Sequence, residues 1–520
     1  MSADTYGRDA AVLAAPVRCA ARVLLAILLG AGAAKSARAA DTIVIVTSTG
    51  DLGGSCPGAS CTLRAAINYA NASPALDQII GFNIPGTCPQ TIKVFSALPT
   101  IADSLSIRGY TQPGAAPNTL EAGDDATLCI QLQPASSGSN INSGLRFAPG
   151  DVADTFSVSG LSIGGFDDAV RIEGGNYVVT GNFLGVDADG ATVHANGYNG
   201  IDVVASNAYF ATTRVVGGST AADRNLISGN GTGVMLVSGG GNVVRNNFIG
   251  TTRSGNTALG NINGIYASSL ANDIRDNVVS GNGSTAIRLE GANGAANSVG
   301  GNRIGIKALA FCVPQPCMPD DALANGGDGV RIANGAAGNN ISGNAIAWND
   351  GDGIALPNAG PQNAISANAM HDNVGLGIDL GADGVDANDN DAAAPPGAPN
   401  RLLNYPVIDS VGGSDAGGVV HGVLQSTNGH YTIEFYADAP PDPSLHGEGQ
   451  IWLGFGEVDI VNAPAGANGT IAFALPISGD ALVGKYVSAI ARDDNSSTSE
   501  FGEGRMYVLS DVIFANGFDP

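Results

Sequence analysis

Apolar positions between Val170 and Leu380 recur as one short phrase: a small residue, an aliphatic–X–aliphatic triplet, a turn, then an Asn-centred strand. The triplets are Val170-Arg171-Ile172, Ile201-Asp202-Val203, Val234-Met235-Leu236, Ile265-Tyr266-Ala267, Ile287-Arg288-Leu289, Val330-Arg331-Ile332, Ile354-Ala355-Leu356 and Ile378-Asp379-Leu380. Glycine precedes six of them, and Ala169 and Ala286 precede the other two. Gly329, Gly353 and Gly377 fall 24 residues apart, a period that marks a solenoid whose repeats bury their apolar sides against one another. Alternation with period two makes the units strands. The pattern therefore predicts a parallel β-helix over residues 150–382.

A second strand of each repeat carries an aliphatic–X–X–Asn step, from Val179…Asn182 to Ile365…Asn368. Asn and Gly suit the tight corners between coils, and Asn stacked on Asn at about 4.8 Å forms an amide ladder. These asparagines are read as structure, not as ligand contacts. Longer coils place extra residues at Asp187–Gly197, Thr251–Asn261 and Lys307–Asp328. Insertions on one face of a solenoid commonly build its binding side, so these three are expected to wall a groove.

Residues 40–149 are not repetitive and read as an N-terminal cap with the first coils. Leu63, Ala66, Ile67 and Ala70 follow helical spacing behind Thr62, a fitting N-cap. A helix there covers the open strand edges of the first coil. Seven cysteines occur, of which Cys19 belongs to the leader described below. Cys56 with Cys61, Cys88 with Cys129, and Cys312 with Cys317 are the candidate disulfides, and no histidine pattern beside them suggests zinc. The run Cys61-Thr62-Leu63-Arg64-Ala65-Ala66-Ile67, followed by Ala70-Asn71, resembles the signature of CSLREA-type bacterial exported proteins. It departs from that signature at Ala65, where the family has Glu, and at Thr62, where it has Ser. The resemblance implies a right-handed parallel β-helix of the pectin-lyase-like class and export. It implies no settled reaction.

From Asp383 the composition shifts to an acidic, Pro-rich linker, residues 383–400. Alternating strands such as Tyr431–Tyr436, Ile471–Leu475 and Tyr486–Ile490 then predict an immunoglobulin-like antiparallel β-sandwich over 401–510. The tail 511–520 reads as a sorting signal or a last edge strand. At the other end, Arg18 and Arg22 precede the short apolar run Val23–Leu29 and the small-X-small site Ala37-Arg38-Ala39. This describes a secretory signal peptide over 1–39, leaving no transmembrane segment in the mature chain. The 47 acidic residues against 23 basic ones, a net charge of −24, turn away nucleic acid and anionic membrane.

Candidate chemistry sits in the middle residues of the triplets, which point outward. Arg288 and Arg331 stand one coil apart, with Glu290 nearby and Glu173 similarly beside Arg171. A basic pair beside Tyr266 suits a uronate carboxylate and a stacked sugar ring, so Arg171, Asp202, Tyr266, Arg288 and Arg331 are the candidate substrate-binding residues. Calcium-dependent lyase chemistry needs acids on adjacent coils, and this column offers them only at Asp202 and Asp379. Asp167, Asp168, Asp350 and Asp352 supply carboxylates for glycoside hydrolysis, without the Gly-His-Gly and Arg-X-Lys companions. The Asp-Pro-His-Asp motif of alginate-acting enzymes is missing, and His194 and His371 read as solvated. No motif demands a cofactor. Calcium is the cation that suits Asp383, Asp386, Asn388, Asp389, Asn390 and Asp391, a run of hard oxygen donors. The expectation is an exported, non-catalytic β-helix protein, extracellular or on the bacterial outer surface, that contacts a polysaccharide or cell-surface glycan. A polysaccharide lyase or hydrolase and a structural spacer or adhesin are the alternatives.

Overall fold

The computed structural model describes residues 42–73, 78–136, 141–204, 213–309, 321–390, 394–395, 397–438 and 443–509. The leader, Cys312, Cys317, Asp391 and the tail 511–520 lie outside these. Three long sheets of 11, 10 and 9 strands run side by side, every pairing parallel and each strand joined to its counterpart in the next coil. The chain is a right-handed parallel β-helix, the hand that parallel crossovers favour. The first sheet runs from Thr42–Val46 to Ala364–Ser366, the second from Gln90–Val94 to Ala369–His371, the third from Ser143–Phe147 to Ile378–Asp379. Outer residues of each triplet point inward and form one continuous core from Val44 to Leu380.

Asparagines mark three of the corners. One ladder runs Asn182, Asn225, Asn247, Asn277, Asn302, Asn344, Asn368, each Nδ2 donating to the next Oδ1 at 2.9–3.2 Å. A second runs Asn196, Asn230, Asn261, Asn282, Asn325, Asn349, Asn373. A third runs from Asn242 through Asn272, Asn297 and Asn339 to Asn363. Most of these Oδ1 atoms also take a backbone N–H of the preceding coil, for example Asn247 N to Asn277 Oδ1 at 3.0 Å. Buried amides at the corners are thereby satisfied, which is what an interior without water requires.

Among the described residues the insertions do not wall a groove. The first two form small hairpins with antiparallel bridges Val186↔Val193 and Thr251↔Ala258, and the described ends of the third are joined by the bridge Ile306↔Ala322. The hairpins stack, Arg253 N donating to Gly190 O and Ala308 N to Gly255 O, both at 2.9 Å. Phe183, Phe248, Leu226 and Val278 on the outer face of the second sheet fill the space beneath, together with Leu128 and Ala308. Bulky apolar residues point outward there, so the loops close over that face as a second small core.

The helix Leu63–Asn71 caps the first coil, with Thr62 Oγ1 accepting from Ala65 N and Leu63, Ala66, Ile67 and Ala70 buried. Cys56 is bonded to Cys61 and Cys88 to Cys129. Arg64 pairs with Asp51 at 2.8 Å and donates to the carbonyls of Ser96 and Ala97. Asn71 donates to Thr100 O and accepts from Ala102 N. The helix thus fixes the segment 96–102, which forms a wall of the cleft described below.

At the far end, two four-stranded sheets pack as a sandwich around Val420, Leu424, Ile433, Phe435 and Phe473. Tyr436, Ile490 and Phe501 of the sandwich belong instead to the solenoid core. Its side chains also replace the coil that would come next. Ile365 N donates to Thr498 Oγ1, Ala367 N to Glu434 Oε2, Asn373 N to Glu448 Oε2 and Leu380 N to Glu500 Oε1. Asn400, within the segment expected as linker, ends the third ladder by accepting from Asn363 N at 2.9 Å. To hold that position, Asn400, Arg401 and Leu402 adopt positive φ in succession, a strained run for non-glycine residues.

Candidate functional site

The third sheet places one outward residue per coil in a single file. Strand pairing sets Arg146 against Arg171, Arg171 against Asp202, then Met235, Tyr266, Arg288, Arg331, Ala355 and Asp379 in turn. A parallel file stands three residues upstream, Ser143 beside Asp168 and Asp168 beside Asn199. Not every member of the first file faces solvent as its phase predicts. Asp202 and Asp379 are buried beneath partners, and Ala355 is fully covered.

At the N-terminal end of this file lies a cleft of about 490 Å³, between the segment fixed by the capping helix and the sheet. Ala97, Leu98 and Thr100 line one side; Asn142, Ser143, Arg146, Arg171 and Glu173 line the other. Glu173 bridges both arginines, at 2.9 Å from Arg146 Nη2 and 2.9 Å from Arg171 Nε. Arg171 also reaches Asp168 at 3.4 Å and a close contact with Asp202. Two guanidinium groups therefore face three carboxylates. The hydrogen bond from Arg146 keeps the Glu173 carboxyl below its ordinary range. Burial raises Asp168, and burial together with the charge of Asp168 pushes Asp202 up to about 6. Ser143 Oγ, buried at the cleft, has no hydrogen-bond partner among the described residues.

Farther along the file a second polar group forms. Arg288 lies 2.7 Å from Glu290 and 5.8 Å from the Tyr266 ring centroid. Arg331, its neighbour in register, turns instead to Asp328 at 2.8 Å. An acid beside each arginine relieves the repulsion between stacked guanidinium groups, so no bound anion is needed to hold them.

Residues 154–313 match the family model described as "Periplasmic copper-binding protein (NosD)". Among solved structures, the A-module of Azotobacter vinelandii mannuronan C-5 epimerase AlgE6 is similar at 16% identity with a TM-score of 0.39. The alignment covers 60% of this chain and 73% of that one. The AlgE4 A-module from the same organism gives 16% identity and a TM-score of 0.34 over the same shares. No curated protein matches the chain.

The remaining candidates are dispersed. Asn388 pairs with the backbone of Tyr405, and the backbone of Asp389 pairs with Asn404. Asn390 Oδ1 accepts from Gln425. Asp383 is exposed, while Asp386 is half-buried with its N–H donating to Glu500. Among the described residues no three His, Cys, Asp or Glu side chains converge as a metal site. His194 sits between Asp187 and Gln133, at 3.1 and 2.9 Å from its Nδ1. His371 is not solvated: it is buried, edge-on to Trp348 at 4.9 Å. Sequence reasoning missed Arg146 and Ser143. The signal was present as Gly144-Leu145-Arg146-Phe147, a triplet in which Phe147 replaces the expected aliphatic.

Proposed function

We propose that this chain is an exported, non-catalytic β-helix protein of the bacterial envelope that binds carbohydrate in the cleft at Arg146, Arg171 and Glu173. The observation that carries this reading is a concave site of ligand size in which every charged side chain already has a fixed partner. Planar groups held in place by one another present hydrogen-bonding edges to hydroxyls at little ordering cost. General acid–base chemistry needs a carboxylate or base free to trade its proton with substrate, and Asp202 is screened from the cleft by Arg171. Tyr266, Arg288 and Arg331 extend the same outer file and serve as flanking contacts for a longer glycan. Disulfides at Cys56–Cys61 and Cys88–Cys129 suit an oxidising compartment.

The copper in the matched family's description finds little support in this chain. Residues 154–313 contain one His, one Met and one Cys, at 194, 235 and 312. His194 follows the second sheet and Met235 lies on the third, so they do not form the clustered soft-donor set that copper selects.

Affinity electrophoresis against a polysaccharide panel, with parallel assays for reducing ends and unsaturated uronate, tests the proposal. Retardation without product is the expected result, weakened at least tenfold by Arg146→Ala. Product formation would overturn the non-catalytic reading, and migration unchanged by every glycan would overturn carbohydrate binding.

A further inference from the structure

We propose that the cleft selects neutral sugars, binding a pyranose through its hydroxyls and excluding acidic ones; this rests on the reading of the cleft as a carbohydrate site. The charge inventory points there. Arg146 and Arg171 are the guanidinium groups lining the cleft, and Asp168, Glu173 and Asp202 already engage them. A uronate would add a fourth carboxylate to a group that is already one negative charge in excess. Its carboxylate would compete with Glu173, which already bridges both arginines. A bare carboxylate meets repulsion where a hydroxyl, with no charge, meets none.

What the cleft leaves open suits a hydroxyl. Ser143 has only 7% of its surface exposed, and its Oγ has no partner among the described residues. An unsatisfied buried hydroxyl is costly, and a ligand group that both donates and accepts removes that cost. Sugar hydroxyls do both; carboxylates only accept. Asn142, exposed at the rim, adds an amide with the same dual capacity. Arg146 spends Nε and Nη2 on Glu173 and keeps Nη1 as a donor. Leu98 and Ala97 supply an apolar wall against which the C–H face of a ring packs. The capping helix holds that wall through Arg64 and Asn71, so the site is rigid before ligand arrives.

Isothermal titration of the full chain with length-matched neutral (gluco-, xylo- and manno-) and uronate oligosaccharides decides the matter. Runs at low and high salt separate charge recognition from hydroxyl recognition. The expected result is a neutral series that binds at least tenfold more tightly than any uronate, with affinity unchanged by salt. Ser143→Val should weaken it tenfold or more. Asn142→Ala, at an exposed position that folding does not need, should weaken it several-fold. Uronates binding more tightly, with affinity lost in salt, would overturn the neutral selection and leave carbohydrate binding standing. Binding by neither series would remove both.

Discussion

Arg224 shows how one side chain organises a surface loop. It is buried beneath the segment 116–127 and donates to Leu120 O, Glu121 O, Gly123 O and Asn246 Oδ1. Its guanidinium lies 4.4 Å from the Phe248 ring centroid. A ring of carbonyls around a cation is the arrangement a metal would otherwise impose, and here a covalently attached charge provides it. Removing that charge leaves several carbonyls without donors in a buried place. Arg224→Met is expected to cost about 3 kcal/mol in urea unfolding. The loop should also become cleavable near Glu121 under limited proteolysis. An unfolding midpoint unchanged by the substitution would contradict the assignment. Nothing in the local sequence marks Arg224, because the three carbonyls it holds lie about a hundred residues upstream.

The repeated elements were the most legible part of the chain. Period-two triplets place strands correctly, since each inward pair meets the same core in every coil. The first Asn ladder was legible for the same reason, although Asn225 escapes the aliphatic–X–X–Asn rule because an insertion separates it from Val216. The other two ladders hid among the Asn-Gly turns, where asparagine has an ordinary local explanation. Side-chain contacts between insertions were not legible either: spacing shows where extra residues enter, but Phe183 and Phe248 decide that they close over the sheet. The ladder makes a quantitative claim. Asn277 Oδ1 accepts from both Asn247 N and Asn247 Nδ2, each at 3.0 Å. Asn277→Leu leaves Asn247 N unpaired in a dry corner, removes the donor to Val244 O and Asn302 Oδ1, and is expected to cost about 3 kcal/mol, read as a lower denaturant midpoint. A loss below about 0.5 kcal/mol would mean the ladder is ornamental.

On the scale of the whole molecule, the sandwich works as the end cap of the solenoid. Its junction is rich in buried carboxylates: Glu434, Glu448 and Glu500 receive the N–H groups of the last coil, close to Asp379 and Asp386. Burial, reinforced by the charges of Asp386 and Asp379, pushes Glu500 up to about 8 from an ordinary 4.5, and Asp386 up to about 6. The folded state therefore holds protons that the unfolded state releases. The contribution is complete below the unfolded values near 4 to 4.5, and it is lost as pH rises through about 6 and then about 8. Melting temperature is expected to fall between about pH 4.5 and 8, and Glu500→Gln should flatten that slope; equal slopes would contradict it. Composition read this junction as an acidic, Pro-rich linker with oxygen donors that suit calcium, and such a run looks the same in sequence whether it is solvated or folded against a neighbour. The cleft was half legible: Arg171 and Asp202 stood in the triplets, while the wall at 96–102 depends on the distant capping helix. Hydrogen–deuterium exchange of the full chain, with and without a saturating neutral oligosaccharide, tests the cleft most directly. Carbohydrate binding there predicts new protection confined to residues 96–102, 142–147 and 168–173. Protection centred on Tyr266–Arg331 instead, or none anywhere, would contradict it.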